Sequence, residues 1–292
     1  MLLSIFKICW HTLMNYFERV MELAEESRFG TFLVSCTMAL VVILNVQSGR
    51  AFFYEVDRRM TNRRINARLV RYPSPIDITS SKACRRQLRL PLVWTHYDET
   101  PLAMLLENNG STVILRSFYP PKSVPYLSGG ELGGSYHFVE AIFKWGVTKT
   151  EHSIDGQQFS LEMQVLHRCP QRKEYLALSY LFSRARFKND PFKQITENLR
   201  CIRWQRSSIE LPPFELGTLL RSFERGYYSY QGTYDNGEQE LPVTWLIDAQ
   251  IGRLCYQQVA EFATLCGKEG SRITSNAREE KSLGRRSVQF HY

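Results

Sequence analysis

Side chains able to do chemistry concentrate between Leu127 and His167 of this 292-residue chain. Glu140, Ile142 and Lys144 fall at every second position, and so do Glu162, Gln164 and Leu166. That spacing places each trio on one face of an extended strand. Between them lies the pair Glu151-His152. His152 has the chemistry of a general base, but an isolated histidine beside a carboxylate in an apolar setting reads as a hydrogen-bonded structural group. His167 reads the same way. His11, His96, His137 and His291 show no metal-ligand spacing. The chain has no Gly-rich phosphate loop, no nucleophile elbow and no Cys-x-x-Cys pair.

Strands must position these groups. Apolar alternation predicts one strand over Tyr136–Trp145 and the next over Phe159–His167, with a polar, turn-rich segment between them. Four glycines between Ser128 and Ser135 turn the chain before the first of these. Phe143 and Trp145 face away from Lys144 and are expected in the core. Further strands are expected over Pro91–His96, Leu102–Leu106, Leu176–Phe182 and Pro242–Ile247. Asn108-Asn109-Gly110 makes a tight turn. Asp190-Pro191 opens a helix to Cys201, with Phe192, Ile195 and Leu199 on one side. Gln257–Leu265 reads as another helix.

GGELGGSYHFVEAIFKWG followed by EHSIDGQQFSLEMQVLH resembles the core of the α-carbonic anhydrases. The family frame matches at Gly129, Gly130, Leu132, Gly134, Tyr136, Trp145, Gly146, Glu151, His152, Asp155, Gly156, Glu162 and His167. Tyr72–Ile78 is similar to the family's Gln-Ser-Pro-Ile-Asp-Ile entry, and Tyr228–Tyr234 to a loop that follows later. Asn276, Arg278, Leu283 and Arg286 are similar to its closing tail. The resemblance covers about Tyr72 to Phe290. It implies a mainly β (α+β) domain, residues 72–292, with a large twisted, mostly antiparallel sheet and short surface helices.

The family's chemistry does not carry over. The three zinc-ligand positions fall on Ile142, Lys144 and Gln164, and the proton-shuttle position falls on Ser111. The threonine that would orient a zinc-bound hydroxide falls on Asp235. A catalytic zinc needs about three protein ligands and an open position. Without it, water is not acidified from about 15.7 to about 7. The resemblance therefore implies a carbonic anhydrase-related protein inactive for CO2 hydration, without zinc or another cofactor, serving as a binding or scaffold domain for a protein partner. Residual carbonate dehydratase or weak hydrolase activity through a non-standard site is the alternative. Lys144 is expected to supply a cation to a buried cluster with Glu140, Glu151 or Asp235. The alternative is that these groups are solvated in an open cleft.

Net charge is +8 and the pI is near 9.1. The charge is spread along the chain without a nucleic-acid motif, so a basic surface beside a membrane is the favoured reading. Residues 1–28 are amphipathic. Residues 29–49 carry no charge, enough apolar chain for one transmembrane helix. A signal peptide and a buried helix are the competing readings. Residues 50–71 form a basic linker in which Arg58, Arg59, Arg63 and Arg64 are candidates for anionic-lipid contact, or simply a solvated connection. The arginine excess after the apolar stretch favours a cytoplasmic domain. Seven cysteines without paired spacing agree; the Asn109-Gly110-Ser111 glycosylation sequon points the other way.

Overall fold

The computed structural model of the protein describes residues 72–146 and 149–292. The segments 1–28, 29–49 and 50–71, including Arg58, Arg59, Arg63 and Arg64, lie outside the described residues. Among those described, no helix is long and apolar enough to cross a membrane.

The chain runs through β1 (Asp77–Ile78), β2 (Cys84–Arg86), β3 (Leu92–Thr95), β4 (Ala103–Asn108), β5 (Val113–Phe118), β6 (Tyr126–Gly129) and β7 (Tyr136–Trp145). It continues through β8 (Ser153–Ile154), β9 (Leu161–Cys169), β10 (Glu174–Ala185), α1 (Lys193–Thr196), β11 (Ser208–Leu211) and α2 (Leu216–Leu219). It closes with β12 (Tyr227–Asp235), β13 (Glu240–Asp248), β14 (Gly252–Cys255), α3 (Tyr256–Phe262) and β15 (Gln289–His291). The main sheet runs β11-β4-β5-β7-β9-β10-β13-β12-β15-β2. Most neighbours are antiparallel, but β10 lies parallel to β13 and β14, and β15 parallel to β2. The domain is thus mainly β, with a mixed sheet and a few short helices.

The expected strands are present; β4, β10 and β13 run longer than their apolar runs and β3 is shorter. The segment Tyr228–Tyr234 is not a loop: it is the body of β12, paired along β13 with Tyr230 opposite Trp245. The helix expected over Asp190–Cys201 shrinks to α1 and a separate 3₁₀ turn at Leu199–Ile202. Thr196 Oγ1 donates to Phe192 O and Asn198 Nδ2 donates to Gln194 O, so local side chains compete with the helical ladder where it breaks. The apolar face survives the break, because Phe192, Ile195, Leu199 and Ile202 are all buried.

The sheet carries a core on each face. On one, Phe143, Trp145, Val165, Tyr180 and Phe182 pack with Phe192, Val259 and Phe262 from the helical segments. On the other, Ile114, Ile142, Leu166 and Ala177 pack with Tyr230, Tyr234 and Trp245. Strand alternation decides which residue goes where: Ile142 and Phe143 are neighbours in sequence and lie in different cores.

Candidate functional site

The candidate residues meet on the second of these faces. A bulge between Phe138 and Glu140 resets the pairing of β7 with β9, so that Ile142 sits opposite Gln164 and Lys144 opposite Glu162. Ser179 of β10 continues the row beyond Gln164. Glu140, Lys144, Glu151, Glu162 and Gln164 are all buried.

Glu151 is the centre of the cluster. Arg278 grips it as a fork, Nε donating to Oε1 at 3.0 Å and Nη2 to Oε2 at 2.8 Å. Lys144 Nζ lies 3.2 Å from Oε1. Gln164 Nε2 donates to Oε2 at 3.1 Å. Burial opposes ionisation of Glu151, but Lys144, Arg278 and the Gln164 amide outweigh it and hold the carboxyl well below its usual range. Arg278 is disfavoured as a cation by burial, and Glu151 more than restores it, with the charge of Asp235 adding to the effect. Arg278 also donates to the Thr233 carbonyl at 3.0 Å.

A second buried chain runs alongside. Glu162 takes the backbone N–H of His152 at 2.8 Å and lies 2.7 Å from its Nδ1. His152 Nε2 is 2.6 Å from the Tyr230 hydroxyl, which is 2.7 Å from Ser74 Oγ. Ser74 also accepts from Trp245 Nε1 and from Thr233 N–H. Burial raises the Glu162 carboxyl and the His152 contacts lower it further, leaving it below its ordinary value. Glu, His, Tyr and Ser in series have the composition of a nucleophile relay. His152 and Glu162 are fully buried, however, so this chain is a strut between strands. His152 is the structural histidine expected of it, although its carboxylate partner is Glu162 and not the adjacent Glu151.

The remaining positions belong to a cover over this cluster. Glu140 does not join Lys144. Its Oε1 accepts from the Tyr234 hydroxyl at 3.0 Å and from Asn236 Nδ2 at 2.8 Å, and its Oε2 pairs with Arg116 Nη2 at 3.2 Å. Asp235 does not meet Lys144 either: its Oδ1 accepts the Gly237 N–H at 2.7 Å and shapes the turn after β12. Ser111 is half-buried, its backbone held by Asn109 Oδ1 and Asn276 Nδ2. Ile114, Ile142 and Tyr234 are wholly buried in one apolar cluster with Leu166. Lys144 and Glu151 are buried beside them, and Arg278 keeps 18% of its side chain exposed, so the ion pair does not stand in an open cleft.

The residue types fit zinc poorly. Ile142 has no ligand atom. Lys144 Nζ is paired with the Glu151 carboxylate, and an ammonium repels a dication. Both carboxylates nearest Gln164 receive its N–H groups, which leaves its Oε1, a buried atom without a partner, as a lone weak donor. Among the described residues no three His, Cys, Asp or Glu side chains gather as a ligand set.

A model of the eukaryotic-type carbonic anhydrase domain matches residues 70–292. The chain belongs to the carbonic anhydrase family. It is 26% identical over 238 residues to carbonic anhydrase 15 of Mus musculus, covering 74% of each chain. It is 24% identical over 236 residues to carbonic anhydrase 1 of Oryctolagus cuniculus, covering 75% of this chain and 98% of that one. With carbonic anhydrase 7 of Homo sapiens it shares 24% over 205 residues. The family frame and the β fold are thus accounted for together. Against that frame, sequence reasoning passed over two residues. Arg278 was legible only as part of a tail pattern, although a buried Glu151 demands a cation from somewhere in the chain. Tyr234 was legible only as part of a supposed loop, and reading it on a strand would have pointed it into the core beside Tyr230.

Proposed function

We propose that this domain is a non-catalytic member of the carbonic anhydrase family, a binding or scaffold module that has traded its metal centre for a salt-bridged core. One observation carries the reading: Lys144, at a position where the resemblance puts a zinc ligand, pairs with Glu151 with both side chains buried, on the face of the sheet that also buries Ile114, Ile142 and Tyr234. Hydration chemistry needs a Lewis acid and an open coordination position, and here an ammonium and packed side chains occupy that ground. No cofactor is required in this reading. Residues 29–49 anchor the domain in a membrane in a single pass, cytoplasmic side favoured by the following arginines, and an unidentified protein is the partner. Zinc content and CO2 hydration of the purified full chain, measured together, test it. The expected result is no stoichiometric zinc and no rate above buffer. One zinc per chain with turnover would establish instead a carbonate dehydratase or hydrolase working through a non-standard site.

A further inference from the structure

The connection that leaves β10 carries a surface feature unrelated to the cluster above. Phe187 is 79% exposed, the most exposed large apolar residue among those described, and Tyr256, which opens α3, is 62% exposed. Cations surround both. Arg186 and Lys188 flank Phe187 and are exposed. Arg184 lies with its guanidinium 5.7 Å from the centre of the Tyr256 ring. From Arg184 to Lys193 four cations accompany a single carboxylate, Asp190.

The exposure of Phe187 is built in. Before it, β10 is held in the sheet by its ladder with β14, Ser183 to Arg253 and Ala185 to Cys255. After it, Asn189 is clamped to the β14–α3 junction: its N–H donates to Gln258 Oε1 at 2.8 Å, Gln258 Nε2 donates to its carbonyl at 2.7 Å, and its Nδ2 donates to the Arg253 carbonyl at 2.9 Å. Phe192, five residues on, is buried in the core. A connection pinned at both ends presents Phe187 outward while a neighbouring aromatic of the same segment is buried.

We propose that this patch, Phe187 and Tyr256 with Arg184, Arg186 and Lys188, is a docking surface for an anionic lipid membrane. Its chemistry selects that partner over others. A protein interface gathers contiguous apolar residues and is depleted in lysine at its centre, whereas here each aromatic is accompanied by cations, Phe187 by Arg186 and Lys188 and Tyr256 by Arg184. Base readout adds side-chain amides and hydroxyls to such cations, and the amide of this segment, Asn189, is committed to the fold. An aromatic side chain set among arginines and lysines matches a lipid interface: the ring enters the headgroup–acyl boundary and the cations meet the phosphates. The inference is independent of the missing metal chemistry and of how residues 1–71 behave.

Hydrogen exchange of the full chain assembled with phosphatidylcholine nanodiscs, with and without about 30% phosphatidylserine, tests it through a local readout. Amides of residues 183–190 and 253–258 are expected to slow about fivefold or more in the anionic discs alone. Raising salt to about 0.5 M, where charges are screened within several ångströms, is expected to remove the protection, as is the double variant Arg186→Glu/Lys188→Glu. Phe187→Ser is expected to reduce it. All three side chains are exposed, so melting temperatures should not move. Equal exchange in both lipids overturns the proposal. Protection that appears with added single-stranded oligonucleotide and not with anionic lipid overturns it in favour of nucleic acid. Protection that follows protein concentration overturns it in favour of self-association.

Discussion

At the scale of single residues, the domain is defined by how charge is balanced around the buried Glu151 carboxylate. Two cations, Lys144 and Arg278, meet on one carboxylate, Glu151, while Glu162 is bonded to His152. Removing Lys144 leaves the buried Glu151 carboxylate to Arg278 alone, and losing one partner of a buried ion pair costs about 3–5 kcal/mol. Lys144→Met is therefore expected to lower stability by about 3 kcal/mol, at the low end of that range because the Arg278 fork remains. Chemical denaturation of the two proteins side by side measures it; an unchanged midpoint would show that the ammonium does no structural work. Asn109 gives a second prediction. Its Nδ2 donates to the Asn236 carbonyl and its Oδ1 accepts the N–H groups of Ser111 and Thr112. A glycan on that nitrogen would displace the bond to Asn236, so the sequon is expected to stay unmodified even in a secretory compartment. A mobility shift on endoglycosidase treatment, lost in Asn109→Gln, would contradict this.

At the scale of elements, β12 determines whether there is a cavity at all. It brings Tyr234 across the face that β7 and β9 share, where the ring packs with Ile114, Ile142 and Leu166 and the hydroxyl reaches Glu140. Tyr234→Ala should therefore open a void and remove one of the two hydrogen bonds to Glu140 Oε1, lowering stability by about 3–5 kcal/mol, while Tyr234→Phe should cost about 1–2 kcal/mol through the lost hydrogen bond alone. Equal effects for the two variants would mean that packing is not what closes the site. The same strand shows where sequence reading stops. The paired strands β7 and β9 were legible because alternation with period two is a local signal, and so were the residues at the three ligand positions. The partners were not. Glu151 and Arg278 are 127 residues apart, Glu140 and Tyr234 are 94 apart, and no local periodicity reports a contact that topology creates. Asp235 was misplaced for a related reason. Its nearest partner is Gly237, two residues on, and short-range turn chemistry outweighed the long-range contact that the family pattern suggested.

At the scale of the whole molecule, His137, His167, His291, Glu151 and Glu162 act in one direction as pH falls, opposed by Asp248, whose carboxyl is raised by burial. His167 sits in the sheet with Nδ1 toward the Val165 carbonyl at 3.2 Å and Nε2 2.6 Å from the Tyr97 hydroxyl, a pattern that suits the neutral ring. Burial pushes it down to about 3 from an ordinary 6.5, the Val165 contact opposing only in part. A histidine with a depressed folded pKa contributes stability that is complete above the unfolded value. Between pH 6.5 and 3 the unfolded chain holds the extra proton, so stability falls as pH falls, at about 1.4 kcal/mol per pH unit for one group. His137 and His291, also lowered by burial, add to the slope. Glu151 and Glu162 are depressed carboxylates. Their contribution is complete above an unfolded value of 4.5 and is lost as pH drops below it. Stability should therefore decline in two stages, gently from about pH 6.5 and more steeply below about pH 4.5. Thermal melts across pH 7 to 3 separate the contributions. His167→Gln should flatten the upper stage and leave the lower one. Glu151→Gln should weaken the lower stage and leave the upper one, because the amide cannot titrate. An upper slope unchanged by His167→Gln would remove that histidine from the account. A lower slope unchanged by Glu151→Gln would mean that the carboxylate held by Lys144 and Arg278 is not what ties this fold to neutral pH.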